Sequence, residues 1–149
     1  MIKISHRGNI YGPEPSKENN PNYIYETLQK NYDCEIDLWL VDKKIFLGHD
    51  KPQFEIPLSF LVDHMNALWI HCKNLEILDF MVAITKEGNS FNFFWHQKDN
   101  FTLTSKLFIW TYPGQQIQKF SIIVNLGLPN NFRAANSFAG VCSDYIAYY

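Results

Sequence analysis

The order of apolar segments along the chain constrains its fold more than any other feature of the sequence. In the first half, strand-like apolar runs occur at residues 2–5, 34–40, 45–47 and 68–72. Segments with the periodicity of amphipathic helices separate most of them, at residues 21–30, 57–64 and 75–87. This alternation is typical of parallel strands joined by right-handed helical crossovers.

The second half of the chain has a different order of predicted elements. Strand-like runs follow one another at residues 91–95, 107–111, 122–126 and 141–146, with too little sequence between them for full helices. A complete TIM barrel takes about 250 residues and seldom fewer than about 200, whereas this chain has 149. We therefore predict one α/β domain over residues 1–149, a compact or partial TIM-type (β/α) barrel with shortened helices in its second half. The alternative is an open doubly wound sheet.

Composition excludes several classes of protein. Hydrophobic residues make up 46% of the chain and charged residues 19%, which is typical of a globular domain and excludes a disordered one. The 13 Lys and Arg residues are not clustered and are outnumbered by 15 Asp and Glu. We therefore expect no nucleic-acid partner, because a phosphate backbone requires a concentrated basic surface.

Targeting signals and cysteines bear on the cellular compartment. The N-terminal sequence MIKISHRG lacks the apolar core of a secretory signal, and no stretch reaches the roughly 18 apolar residues of a membrane span. We expect a cytoplasmic protein without a membrane span. The three cysteines, Cys34, Cys72 and Cys142, are odd in number and lack metal-binding spacing, which favours buried free thiols.

Two carboxylates interrupt the apolar strand at residues 34–40. Glu35 and Asp37 point to the same face, since side chains alternate along a strand. Like charges about 6–7 Å apart raise each other's pKa unless a cation lies between them. A divalent metal is the natural cation, and the alternative is an exposed edge strand that presents its charges to water.

A second strand repeats this arrangement, and two further motifs follow short strands. His71 lies in the strand at residues 68–72, and Lys73 directly after it shares its face. His6-Arg7 and His49-Asp50 follow other apolar runs. In a parallel barrel such side chains converge on one mouth. The predicted constellation comprises His6, Arg7, Glu35, Asp37, His49, His71 and Lys73.

These residue types favour phosphoryl chemistry. Two histidines can exchange a proton with a substrate near neutral pH. Arg7 and Lys73 would bind an anionic group, Arg7 through its planar guanidinium. Acyl transfer is disfavoured, because no serine nucleophile or oxyanion loop is evident.

Short motifs in the same order resemble the glycerophosphodiester phosphodiesterase family, within the phosphatidylinositol phospholipase C-like phosphodiesterases. The resemblance covers about the first half of the chain, and two weaker matches lie later, at Trp110-Thr111 and Ser143-Asp144. The motifs that carry it are His6-Arg7-Gly8, Glu18-Asn19, Glu35-Ile36-Asp37 and Gly48-His49-Asp50.

The resemblance implies a TIM-type barrel and a metal-dependent enzyme that hydrolyses a small phosphodiester. It implies that His6 and His49 are the general acid and base. It further implies phosphate contacts from Arg7 and Lys73 and a divalent metal held by Glu35 and Asp37. A substrate hydroxyl would attack phosphorus to give a cyclic phosphate, which water then opens.

The chain departs from this family at the third metal ligand. The family has a glutamate two residues before the lysine, where this chain has His71. A neutral imidazole lowers the charge of the site and shifts its preference from Mg²⁺ or Ca²⁺ toward Mn²⁺ or Zn²⁺.

Two further expectations concern the partners of the chain. The alternative function is a non-catalytic barrel that binds a phosphorylated sugar or a lipid head group. A homodimer is also expected, because a shortened barrel would leave aromatic surface uncovered. The phenylalanines expected on that surface are Phe91, Phe93, Phe94, Phe101, Phe108 and Phe120.

Overall fold

The computed structural model describes residues 1–129 and 137–149. The strands of these residues are β1 Ile2–His6, β2 Asp33–Val41, β3 Lys44–Leu47, β4 Phe54–Ile56, β5 Leu68–Cys72, β6 Asn92–Trp95, β7 Phe101–Leu103, β8 Ile109–Thr111, β9 Ser121–Val124 and β10 Gly140–Ser143. The helices are α1 Pro21–Gln29, α2 Leu58–Asp63 and α3 Leu75–Lys86, and a 3₁₀ turn spans Ile146–Tyr148.

All ten of these strands belong to one mixed sheet. Its central part runs β6-β5-β2-β1-β10-β9-β8, with every neighbouring pair parallel. Antiparallel strands extend it: β3 pairs with the end of β2, β4 with β3, and β7 with β8. The first strand of the chain therefore lies in the middle of the sheet, between β2 and β10.

The predicted TIM-type (β/α) barrel is wrong. The described residues form a curled half-barrel that is mostly sheet and carries three short helices. A helical crossover between parallel strands usually needs a dozen or more residues, whereas residues 112–120 join β8 to β9 without a described helix. The tight turn at Asp42 and Lys43, both with positive φ, also reverses the chain directly into an antiparallel strand.

Most of the predicted secondary structure in the first half is confirmed. Helix α1 begins where the sequence predicts, with Pro21 in its first turn and the Asn20 side chain accepting a hydrogen bond from the Asn22 amide. Strands β4 and β7, each of three residues, were not predicted. The last predicted strand, at residues 141–146, ends earlier, at Ser143.

Alternation along β2 separates the hydrophobic core from the polar face. Ile36 and Leu38 are fully buried in a cluster with Ile24 of α1 and Met81 of α3. Glu35 and Asp37 must therefore point to the opposite face of the sheet. The expectation of buried free thiols is confirmed, and the cysteines concerned are Cys34, Cys72 and Cys142.

The aromatic surface predicted for the second half is partly absent. Phe91 and Phe93 are buried in the core on one face of the sheet and Phe94 in the core on the other. Phe108 is partly buried. Phe101 and Phe120 are exposed, as expected.

No helix in the described parts of the chain has both the length and the hydrophobicity that crossing a membrane requires.

Candidate active site

Three parallel strands bring the first site residues side by side. His6 is in register with Glu35 across the β1–β2 pair, and Asp37 is in register with His71 across the β2–β5 pair. Neighbouring strands lie about 4.8 Å apart, so register partners on one face are in contact range. Residues distant in the sequence therefore meet on the face of the sheet that the helices do not cover.

A sharp turn after β1 directs Arg7 toward the middle of β2. Arg7 itself has a φ of 55°, and its amide donates a hydrogen bond to the Glu35 carbonyl. Gly8 follows with a φ of 97°, and a Cβ there would lie 2.6 Å from the ring of Tyr23. Glycine is thus required, and the turn places Arg7 Nε 2.9 Å from the Asp37 carboxylate.

Asp37 is the most enclosed acid of the site. Its carboxylate lies 2.9 Å from Arg7 Nε, 3.0 Å from His71 Nδ1 and 3.3 Å from Lys73 Nζ, and it accepts a hydrogen bond from the Asn19 side chain. Burial alone would raise the pKa of Asp37. The contact with His71 and the charges of Arg7 and Lys73 outweigh it and hold the pKa far below its usual range.

Glu35 has a very different environment. It is 3% exposed, and its Oε2 accepts no hydrogen bond from any described residue. The imidazoles of His6 and His71 lie 4.0 and 3.9 Å from its two oxygens. Burial raises the pKa of Glu35, and the charge of Asp37 raises it further. A cation beside this carboxylate would stabilise its ionised form.

His71 completes a set of three potential metal ligands. One ligand atom from each of Glu35, Asp37 and His71 lies within 4.8 Å of the others. The carbonyl of His96 can only accept, so His71 Nε2, 3.2 Å away, must donate to it. A neutral His71 then presents the lone pair of Nδ1 to the Asp37 carboxylate at 3.0 Å.

His71 Nδ1 and the Asp37 carboxylate lie 3.0 Å apart, so a divalent cation beside them would be ligated by both. A backbone carbonyl behind a histidine is also a common way to orient a metal ligand. The residues present thus fit a divalent cation.

His6 is oriented by residues from both ends of the chain. Its Nδ1 lies 2.7 Å from Asp144 Oδ1, and Asn9 donates a second hydrogen bond to the same oxygen. Burial would lower the pKa of His6, but the hydrogen bond with Asp144 and the charge of Glu35 raise it above the usual value. With Nδ1 occupied, Nε2 is the nitrogen left for a substrate.

His49 has a similar carboxylate contact but is more exposed. Its Nδ1 lies 2.7 Å from Asp50 Oδ1, and 41% of the side chain is exposed. Gly48 positions it: the glycine has a φ of 148°, and a Cβ there would collide with the Lys51 carbonyl. Burial lowers the pKa of His49, and the nearby positive charges add to this effect despite the opposing influence of carboxylates.

One cleft of about 460 Å³ opens onto this face of the sheet. Six of the seven predicted site residues line it: His6, Arg7, Glu35, His49, His71 and Lys73. Asp37, the seventh, is fully buried against Arg7 and Lys73. The structure thus brings the whole predicted constellation together, although the barrel that motivated it is absent.

The sequence prediction omitted several residues of the site or assigned them no function. Asn19 and Asp144 occur in the motifs Glu18-Asn19 and Ser143-Asp144, which offered a signal but no function. Asn9 and His96 carried no signal, because only tertiary contacts bring them to the site.

No protein-family model, curated protein or solved structure matches this chain. The resemblance to glycerophosphodiester phosphodiesterases therefore remains a prediction from short motifs. The function has to be inferred from the geometry of the cleft.

Proposed function

We propose that this protein is a metal-dependent phosphodiesterase that hydrolyses a small phosphodiester by general acid–base catalysis with His6 and His49. One observation carries the proposal. Both histidines line the same cleft, and each has a carboxylate 2.7 Å from its Nδ1. Nδ1 is thereby occupied in both residues, which leaves two Nε2 atoms for proton transfer at one substrate.

The cations of the cleft supply the anion-binding part of the site. Arg7 and Lys73 line the cleft and also contact Asp37, so their side chains are held in place before a substrate arrives. A phosphodiester carries one negative charge, which a guanidinium and an ammonium bind well. Their role is to bind and orient the phosphate between the histidines.

Glu35, Asp37 and His71 would hold the divalent metal. A bound cation would neutralise charge that develops on the phosphate oxygens. The imidazole ligand favours Mn²⁺ or Zn²⁺, and the carboxylates also suit Mg²⁺ or Ca²⁺.

The two histidines have complementary proton affinities. The lowered pKa of His49 favours its neutral form and suits a base, which would take a proton from the attacking water or substrate hydroxyl. The raised pKa of His6 favours its protonated form and suits an acid, which would donate a proton to the leaving alcohol.

A second function, binding of a phosphorylated sugar or lipid head group without cleavage, is favoured by one observation. Arg7 and Lys73 both contact the Asp37 carboxylate, so this acid has cationic partners without a metal. A cytoplasmic location and a homodimer also remain predictions.

Release of p-nitrophenol from bis(p-nitrophenyl) phosphate, with and without Mn²⁺, tests the proposed function. Metal-dependent turnover is expected for the unmodified protein and for the His64→Ala control, since His64 contacts Phe60 and Tyr25 outside the cleft. The His49→Ala variant should lose roughly 10²–10⁴-fold in rate. Phosphate binding with no turnover under any metal would favour the binding protein instead.

A further inference from the structure

The cleft has two chemically different halves. Its charged and titratable residues come from β1, β2 and β5, from the residues just after β1 and β5, and from the loop after β3. The ends of β6, β8 and β9 supply an opposite wall that is mainly aromatic and apolar. Its apolar members, which we call the ring wall, are Trp95, Trp110, Tyr112, Pro113, Val124 and Leu126.

The rings of this region are held by mutual stacking. Tyr112 stacks on His96 with ring centroids 3.8 Å apart, and Trp110 stacks on Phe94 at 4.6 Å. Phe94 in turn stacks on His71 at 5.2 Å, nearly parallel. A continuous series of rings thus runs from the proposed metal ligands to the wall. Side chains restrained in this way lose little rotational freedom when they bind a ligand.

The size of the cleft exceeds what a phosphate group requires. Its volume of about 460 Å³ lies within the roughly 300–1,000 Å³ of pockets that enclose drug-sized ligands. A phosphate beside Arg7 and Lys73 occupies the charged half and leaves the ring wall free. A small polyol such as glycerol would leave this apolar wall without an apolar partner.

The geometry points to a substrate in which one alcohol of the phosphodiester carries a flat ring that binds against the ring wall. The inference rests on the proposed function and specifies its substrate class. The ring could be an aryl group or a nucleobase. Gln97 also lines the cleft and is exposed. Beside the wall there is thus a side-chain amide for the edge of such a ring.

Equilibrium binding of phosphate monoesters tests the inference without requiring turnover. The probes are methyl phosphate, phenyl phosphate and a nucleoside monophosphate, measured by calorimetry. At least one ring-bearing ester should bind roughly tenfold or more tightly than methyl phosphate, because even one additional buried methylene contributes about this factor. Tighter binding of the nucleotide than of phenyl phosphate would identify the ring as a nucleobase, and the reverse order an aryl group.

Two leucines provide a matched pair of variants. Leu126 lines the cleft and is 40% exposed, whereas Leu128 is 49% exposed and does not line it. Leu126→Ala should weaken binding of the preferred ring ester on the order of fivefold and leave methyl phosphate unaffected. Leu128→Ala should change neither.

The results separate this inference from the proposed function. Equal affinities for methyl, phenyl and nucleoside phosphates would overturn the ring wall as a subsite while leaving the phosphate site intact. Failure of all three esters to bind would instead contradict the phosphate site on which both proposals depend.

Discussion

Asp144 Oδ1 lies 2.7 Å from His6 Nδ1, although 138 positions separate the two residues. Strand pairing produces this contact, because β1 and β10 are parallel neighbours and Ser5 is in register with Ser143. The residues that follow these two partners, His6 and Asp144, therefore lie side by side. Asn9 also donates to the same carboxylate oxygen, which fixes the orientation of the acid.

Asp144→Asn should lower turnover while leaving KM for the phosphodiester nearly unchanged. The amide no longer carries the charge that favours the protonated imidazole, so His6 becomes a poorer acid-base group. We expect a loss in kcat of roughly 10²-fold, the low end for a misplaced proton donor. Steady-state kinetics measures both constants, and Asp79→Asn, on an exposed position of α3, is the control. A rise in KM with unchanged kcat would contradict a role in positioning His6.

Asp144 should also contribute to the pH dependence of stability. Burial raises its pKa, but the contacts with His6 and Asn9 lower it below the usual value. A lowered pKa stabilises the folded state above the ordinary Asp value of about 3.9, and this contribution is lost as pH falls through the folded value. Urea denaturation between pH 7 and pH 3 should show a smaller loss of stability in Asp144→Asn than in the unmodified protein. Equal losses would show that the contact is not formed in solution.

Glu35 and Asp37 should respond in opposite ways to neutral replacements in the metal-free protein. Glu35→Gln removes a buried charge with no hydrogen bond to Oε2, so thermal stability should rise. Asp37→Asn leaves Arg7 and Lys73 without their shared carboxylate, and should cost about 3–5 kcal/mol of unfolding free energy. Both variants should lose Mn²⁺ binding, as measured by calorimetry.

Glu55→Gln is the matched control for this pair of variants. Its carboxylate is 52% exposed and pairs with Lys44 at the surface. Its effect should stay within about 0.5 kcal/mol. Mn²⁺ affinity that survives in both Glu35→Gln and Asp37→Asn would exclude the proposed ligand set.

The acidic limb of the pH–rate profile should reflect His49. As a base it must be neutral, and burial together with nearby positive charge lowers its pKa. The midpoint of the acidic limb should therefore lie below the ordinary histidine pKa of about 6.5. Activity then persists as the pH falls through that value. The profile of kcat/KM on the aryl phosphodiester measures it. If His49→Ala has the same rate and the same acidic limb as the unmodified protein, another group is the base.

The three thiols should resist modification in the folded protein. Burial raises the pKa of Cys72 to about 12 and that of Cys34 higher still, so almost no reactive thiolate exists at neutral pH. Absorbance with a disulfide reagent should reveal no thiol in the native state and three in denaturant. Rapid reaction of one thiol without denaturant would show that a core strand opens readily.

Local patterns in the sequence determined which residues of each strand face the site. Alternation along β2 was enough to assign Ile36 and Leu38 to the core and to assign Glu35 and Asp37 to the opposite face. The N-cap at Asn20 and the reversal at Asp42 are likewise local features, because backbone geometry over a few residues decides them.

Only the tertiary structure decided how the strands assemble and what lies opposite the proposed catalytic residues. The half-barrel replaces the predicted barrel because short connections and hairpins leave β3, β4 and β7 antiparallel. The contact of Asp144 with His6 and the ring wall both depend on pairings between strands far apart in the chain. Such pairings are set by the free energy of the whole core, and no local window of sequence contains that information.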